Sequence, residues 1–360
     1  MPAPPTRYTF EKRAKAFIAC RGKAQLARLL RIDSVRLAVM AEGPKYKTFS
    51  IPKKKKGTFR LVEDPEPRLK RVQRRLNDYL QAVYYFHRTD AAYGFLTNVA
   101  GDPNPRNIKT NAERHLGAKW LMNVDMRDFF HLIDQERVQQ LFRAPLLNFP
   151  KNLARTLAGL CCFKDRLPMG APTSPIISNL ASIPLDGDLQ HFAQQRGWTY
   201  TRYADDMTFS SKTTPIRYED IAAVNEWVTA YDLQLNPNKS IIYGPDYPAK
   251  EVTGLIVGED RVMLSEQYTD SLRKGIRKLN AVINAKYCVP SGRLTKTAWV
   301  DEITDQLRGR LAFASQILEE DDPLRADLEI AFENALEPPT DYEPVSWLDF
   351  GYTLFNQPRL

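Results

Sequence analysis

The sequence has no apolar run approaching the ~20 residues that a bilayer-spanning helix needs, and its opening residues, MPAPPTR, lack the apolar centre of a secretory signal. A membrane protein is thereby excluded as the first reading, and a cytoplasmic location is expected. Cysteine is scarce: Cys20, Cys161, Cys162 and Cys288, with no CxxC pair among them. That spacing argues against a disulfide framework and against a zinc site, and predicts reduced, mostly buried thiols.

What is present describes a folded chain. Hydrophobic residues make up 43% and charged residues 26% of 360 positions, a globular composition over a length that calls for two or three packed subdomains. The net charge of +8 hides an asymmetry. Residues 51–75 carry ten Lys/Arg against three Asp/Glu, whereas residues 319–343 carry ten acids and one base. A basic front is the footprint of a polyanionic partner; a solvated surface is the plainer alternative, and only a motif can decide.

The motif lies in residues 201–210, TRYADDMTFS. Side chains alternate along a strand, so Asp205 and Asp206 would face opposite ways in an extended segment. A tight turn between two short strands brings both toward one site, and adjacent acids repel unless a cation lies between them. Hard divalent ions suit such oxygen ligands. A second acid stands where the apolar run 120–124 reaches Asp125, with Asp128 and the aromatics Phe129 and Phe130 beyond. Burying such a carboxylate is costly without a compensating partner.

The remaining pattern is coarse. Residues 10–39 read as helices broken near 32–34, and residues 45–62 as a hairpin with a lysine-rich tip. Residues 69–85 are helical, and 111–115 start or lie in a helix. Residues 136–162 are mainly helical, and the rigid loop 167–175 leads into a helix at 176–195. Residues 221–231 form an amphipathic helix, 233–243 a strand containing Lys239, and 250–257 with 261–264 a further hairpin. Residues 265–318 are helical and basic, followed by an arm with Trp347 and Phe350 that is expected to pack intramolecularly.

Three acids in two places, separated by about 80 residues of mainly helical chain, follow the order of elements in the palm of template-directed polymerases. The chain resembles reverse transcriptases, and among them the bacterial retron class. The motifs that carry this are residues 51–53 (IPK) with Arg60, residues 125–130, residues 170–175 (GAPTSP) with Asn179, residues 203–206 (YADD), and Lys239. Two more are diagnostic of the retron branch, NAxxH at 111–115 and VTG at 252–254. The resemblance covers roughly residues 20–315.

The resemblance implies an α+β right-hand polymerase fold, with fingers, a palm made of an antiparallel sheet packed on helices, and a helical thumb. The corresponding division is an N-terminal helical extension at 1–44, fingers at 45–110, palm with inserted finger helices at 111–263, thumb at 264–335 and arm at 336–360. It implies two Mg²⁺ ions, with Mn²⁺ as an alternative, held by Asp125, Asp205, Asp206 and the carbonyl of Met126. Lys53, Arg60, Phe130, Met169 and Gly170 fall at nucleotide-binding positions, Phe130 as a ring that clashes with a ribose 2′-OH. Lys239 matches a lysine proposed to protonate the leaving group. Met169 and Tyr93 depart from the family pattern, which often has Gln and His there. Asn111, His115, Val252, Thr253 and Gly254 fall at implied RNA-recognition positions, although Asn111 and His115 can equally tie their motif to the palm. Arg273, Lys274, Arg277 and Lys278 form a helical repeat suited to a duplex backbone.

The implied function is copying of a cognate structured noncoding RNA into branched single-stranded DNA, primed from an internal guanosine 2′-OH. Its partners would be that RNA, the RNA–DNA hybrid, deoxynucleotides and a separate effector in antiphage defence. An intron-like or untemplated defence polymerase, and an RNA–protein scaffold restraining a toxin, are the alternatives.

Overall fold

A computed structural model describes residues 3–52, 57–288 and 297–337. Lys53, the neighbouring lysines 54–56, and Trp347 and Phe350 of the arm lie outside the described residues. The chain divides into two compact units, Met1–Thr253 and Gly254–Leu360.

The first unit begins with three short helices, α1 (Arg7–Ile18), α2 (Lys23–Leu30) and α3 (Ser34–Glu42). Gly22 starts α2, adding a break that residues 10–39 did not advertise. Asp33 starts α3 by accepting from the backbone N–H groups of Val35 and Arg36, which satisfies donors that no helix turn precedes. Strands β1 (Tyr46–Pro52) and β2 (Phe59–Pro65) form the expected antiparallel hairpin, in register from Tyr46↔Pro65 to Pro52↔Phe59. Helix α4 (Pro67–Tyr85) carries Leu69, Val72, Leu76, Leu80 and Val83 into the core on one stripe.

Beyond α5 (Ile108–Glu113) come β3 (Trp120–Asp125), α6 (Gln135–Arg143), α7 (Lys151–Cys161), α8 (Ser174–Ala181), α9 (Ile183–Gln195), β4 (Thr199–Tyr203), β5 (Asp206–Ser211) and α10 (Tyr218–Ala230). The stretch 176–195, read as one helix, is two. Pro184 has no N–H to donate to the preceding turn, and Ser182 both ends α8 and begins α9. The stretch 233–243, read as a strand containing Lys239, is strand only at its end. Pro237–Lys239 forms a 3₁₀ turn capped by Asn236, so the strand β6 is only Ile241–Tyr243 and Lys239 precedes it. A short β7 (Lys250–Val252) completes the unit.

The central antiparallel sheet has the order β4-β5-β3-β6. One side packs on a core containing Phe17, Leu76, Leu160, Ile177, Met207 and Phe209. Cys20, Cys161 and Cys162 are buried free thiols.

The second unit contains β8 (Leu255–Val257) paired antiparallel with β9 (Val262–Leu264), then α11 (Glu266–Cys288), α12 (Thr297–Ile317) and α13 (Pro323–Leu336). On α11, Leu272, Ile276 and Leu279 are buried while Arg273, Lys274, Arg277 and Lys278 are exposed. Among the described residues, no helix is long and apolar enough to cross a membrane.

Candidate active site

The sheet brings the acids together by register. Asp125 ends β3 directly opposite Asp206, the first residue of β5, and Asp206 in turn pairs with Tyr203 at the end of β4. Two residues, Ala204 and Asp205, make the connection. Ala204 adopts a left-handed backbone (φ 62°), and the carbonyl of Asp205 accepts from the N–H of Met126 at 2.9 Å. All three carboxylates therefore sit at one end of β3. Like charges facing each other across strands are unfavourable, so this register is held by the rest of the sheet and against its own electrostatics.

Asp125 is 5% exposed. Its Oδ2 accepts from Lys239 Nζ at 2.8 Å and its Oδ1 from Asn236 Nδ2 at 3.3 Å. Desolvation, then the charge of Asp125, pushes the Asp205 carboxyl upward, with Lys239 and Arg60 opposing. Desolvation and the charges of Asp205 and Asp125 push Asp206 upward as well, although its outer edge reaches solvent. Partial burial would lower the Lys239 ammonium; the hydrogen bond and charge of Asp125 overcome it and raise the pKa. Lys239 thus reaches Asp125 from the 3₁₀ turn that precedes β6.

A buried polar network fixes the turn. Arg202, fully buried, donates from Nε and Nη2 to the two oxygens of Asp186 at 2.7 Å each, and from Nη1 to Asn179 Oδ1 and to the carbonyl of Ala204 at 3.0 Å each. Tyr200 adds its hydroxyl to Asp186. Asn179 donates to the carbonyl of Gly94 at 2.9 Å, and the segment at Gly94 lies so near the turn that a Cβ there would be 2.5 Å from the N of Ala204. Arg202 and Asp186 escaped the sequence reading; a basic residue inside a short strand, between Thr201 and Tyr203, is the only signal they offered.

The hairpin β1–β2 is tied to the loop before α8. Glu63, with no exposure, binds Arg166 through two bonds of 2.8 and 3.0 Å, and its N–H donates to the carbonyl of Met169 at 2.7 Å. Gly170 (φ 131°) is required here, since a Cβ would lie 2.8 Å from the carbonyl of Glu63. Met169 and Gly170 thereby meet this hairpin through their backbone. Arg60 is exposed, opposite Ile51, and its charge reaches Asp205. Phe129 is core, 4% exposed; Phe130 is half-buried, its ring 5.8 Å from those of Phe95 and Phe129.

Other candidate residues fall elsewhere. His115 is buried between β4 and β5, with Nδ1 2.7 Å from Ser210 Oγ and Nε2 2.8 Å from Thr201 Oγ1. Asn111 is buried too, its Nδ2 3.5 Å from Thr253 Oγ1, and Val252 has no exposure. These side chains are enclosed, so the geometry favours tying the motif to the palm for Asn111 and His115 and leaves the Val252 side chain in the interior. Thr253 is half-buried with φ 50°, and Gly254 (φ 89°) has open space around its Cα.

Among the described residues, no three His, Cys, Asp or Glu side chains close into a metal cage by themselves. The donor set still fits a hard divalent ion: carboxylates crowded at one strand end, with Asp205 pushed toward protonation by burial and the charge of Asp125, and Asp206 by burial and the charges of Asp205 and Asp125. Small divalent ions of this type take one or two protein carboxylates and fill the remaining positions with water and substrate phosphate.

The family described as "Reverse transcriptase (RNA-dependent DNA polymerase)" matches residues 51–257. The "Retron Ec86 reverse transcriptase" of Escherichia coli is 27% identical over 287 residues, covering 78% of this chain and 79% of that one. The "Retron Mx65 reverse transcriptase" of Myxococcus xanthus is 33% identical over 230 residues, covering 59% of this chain and 51% of that one. Among solved structures, telomerase from Candida albicans in complex with a TWJ fragment of telomeric RNA is 10% identical with a TM-score of 0.43, covering 83% of this chain and 61% of that chain.

Proposed function

The chain belongs to the reverse transcriptase family, on its retron branch, and from that premise we propose that it copies a structured noncoding RNA of its own into branched DNA. It is an RNA-directed DNA polymerase of the right-hand fold class. Reverse transcriptases generally use divalent metal ions. In the proposed reading two Mg²⁺, held by Asp125, Asp205, Asp206 and the carbonyl of Met126, would supply activation of the attacking hydroxyl and neutralisation of the departing pyrophosphate.

The chain's own residues do the rest. Arg60 and Lys53 would hold the incoming triphosphate by charge. Phe130 would lie under the sugar and reject a 2′-OH. Lys239, whose proton is retained by contact with Asp125, stands ready to pass it to the leaving group. Primer synthesis would start from the 2′-OH of an internal guanosine, and the exposed basic stripe of α11 would track the hybrid backbone. A separate effector protein would complete a cytoplasmic antiphage system.

The observation that carries the reading is the direct register of Asp125 against Asp206 with Asp205 in the adjoining turn. The test is expression with the noncoding RNA encoded beside the gene, followed by isolation of branched DNA. The Asp205→Asn, Asp206→Asn double variant should yield none. Branched DNA undiminished in that variant would sink the metal assignment, and its absence from wild type with every neighbouring RNA would sink the retron reading. Phage plating with and without the neighbouring genes addresses defence.

A further inference from the structure

Away from the acids, a groove of about 580 Å³ is lined by α3 and α4. Its chemistry is lopsided. Arg68, Arg71 and Arg75 stand at i, i+3 and i+7 on one stripe of α4, and Arg31 and Arg36 come from the end of α2 and the first turn of α3. Among the described residues, no acidic side chain lines it. Asp33, the acid nearest in sequence, is engaged in capping α3.

The floor between these guanidinium groups is apolar. Val35 and Val39, one turn apart on α3, are 69% and 63% exposed and both line the groove. Arg75 keeps the floor in place, donating to the carbonyls of Leu30 and Arg31 at 2.7 and 3.2 Å and so closing the end of α2. Arg31, Arg36, Arg68 and Arg71 are exposed around it.

We propose that this groove binds a single-stranded segment of RNA, phosphates on the arginines and an unpaired base on Val35 and Val39. Five cations without a lining acid select a polyanion. Guanidinium groups suit phosphate, which they bind through paired N–H donors. A duplex hides its bases and has no use for an apolar floor, whereas an unpaired base presents a face that needs one. The proposal rests on the RNA-copying reading for the identity of the polyanion. An acidic peptide meets the charge condition but not the planar surface, and is the competing occupant.

The experiment uses the full chain and a fluorescein-labelled single-stranded RNA of mixed sequence, titrated by anisotropy across a salt series. Arg36→Gln with Arg71→Gln removes two groove charges; Arg143→Gln with Lys151→Gln removes two exposed charges elsewhere. The groove pair should weaken binding about tenfold and flatten the slope of log K against log salt by about 1.4, the change expected when a single strand has two fewer of its phosphates neutralised. The distant pair should change the affinity far less. Val35→Ser with Val39→Ser should weaken binding with the salt slope unchanged.

Equal effects of the two charge pairs would overturn the proposal in favour of diffuse attraction. So would displacement of the RNA by a glutamate decamer that binds more tightly and loses its binding in the groove pair. Extension of oligo(dT) on saturating poly(rA), run in parallel, should be unchanged in the groove variants. Wild-type protein that binds RNA but extends nothing would refute the polymerase reading while leaving the groove standing.

Discussion

Arg202 donates to the carbonyl of Ala204, two residues further along its own chain, while gripping Asp186 through two bonds of 2.7 Å. One buried cation thereby couples a helix to the turn that presents Asp205. Arg202→Met should leave Asp186 uncompensated and cost about 3–5 kcal/mol, read by urea unfolding. Adding Asp186→Leu should recover part of that loss. Arg202→Lys keeps the charge but loses the fork. It should remain folded while DNA synthesis drops about a hundredfold, the scale expected when reacting groups move by an ångström. Full activity in Arg202→Lys would show that the Ala204 contact is dispensable.

Asp206 faces Asp125 across the sheet, and its carboxyl is pushed upward by desolvation, Asp205 and Asp125. Asp206→Asn should therefore raise the melting temperature of metal-free protein while lowering nucleotide incorporation by about a thousandfold or more, as for a member of a group acting as a unit. Added Mg²⁺ should stabilise wild type by more than it stabilises the variant, because ligation to the folded state alone raises stability. A variant both inactive and unstable would point instead to a structural role.

Gly94 is needed for close approach, since a Cβ would meet the N of Ala204 at 2.5 Å and the carbonyl carbon of Tyr203 at 3.0 Å, both backbone atoms that cannot rotate away. Gly94→Ala should cost about 1–3 kcal/mol through overpacking and depress synthesis more than template binding. Equal losses of kcat and template affinity would argue against an effect confined to the turn.

These cases mark what was legible in the sequence. Asp125, Asp205 and Asp206 could be read because acids interrupting apolar strands break a local pattern, and the β1–β2 hairpin because alternation and a basic tip announce it. The partnership of Arg202 with Asp186 could not, because it joins a strand to a helix: a basic residue inside a short strand marks Arg202 as unusual but does not say which acid it meets. Lys239 reads as a strand residue but is not one, because Asn236 and Pro237 act through a cap and a missing N–H, which outweigh the β-branched run that follows. His115 and Asn111 carry a family signature, but the signature does not say which way a side chain points; the partners of His115, Thr201 and Ser210, are distant in sequence.

Phe130 is half-buried beside Phe95 and Phe129, so its ring can be shortened without opening the deep core. Phe130→Val should raise ribonucleotide incorporation relative to deoxynucleotide by about 10–100-fold, the discrimination that a small change of pocket shape supports. The check is the ratio of kcat/KM values for one base in its two sugar forms. An unchanged ratio would remove the ring from the sugar pocket.

His115 gives the fold an acid sensitivity that can be isolated. Burial, then the neighbouring charge of Arg114, pushes its imidazole from 6.5 down to about 3, so the folded protein keeps the ring neutral between Thr201 and Ser210. Between those two values the unfolded chain binds a proton that the folded chain refuses. Stability must then fall as pH falls through this window, by on the order of 1 kcal/mol per pH unit. His115→Gln retains polar contact and removes the titration. It should be less stable than wild type at pH ~7.5, yet lose less on going to pH ~5.5 in urea unfolding followed at both values. Parallel losses in the two proteins would mean that other groups, and not His115, carry the acid response of the sheet.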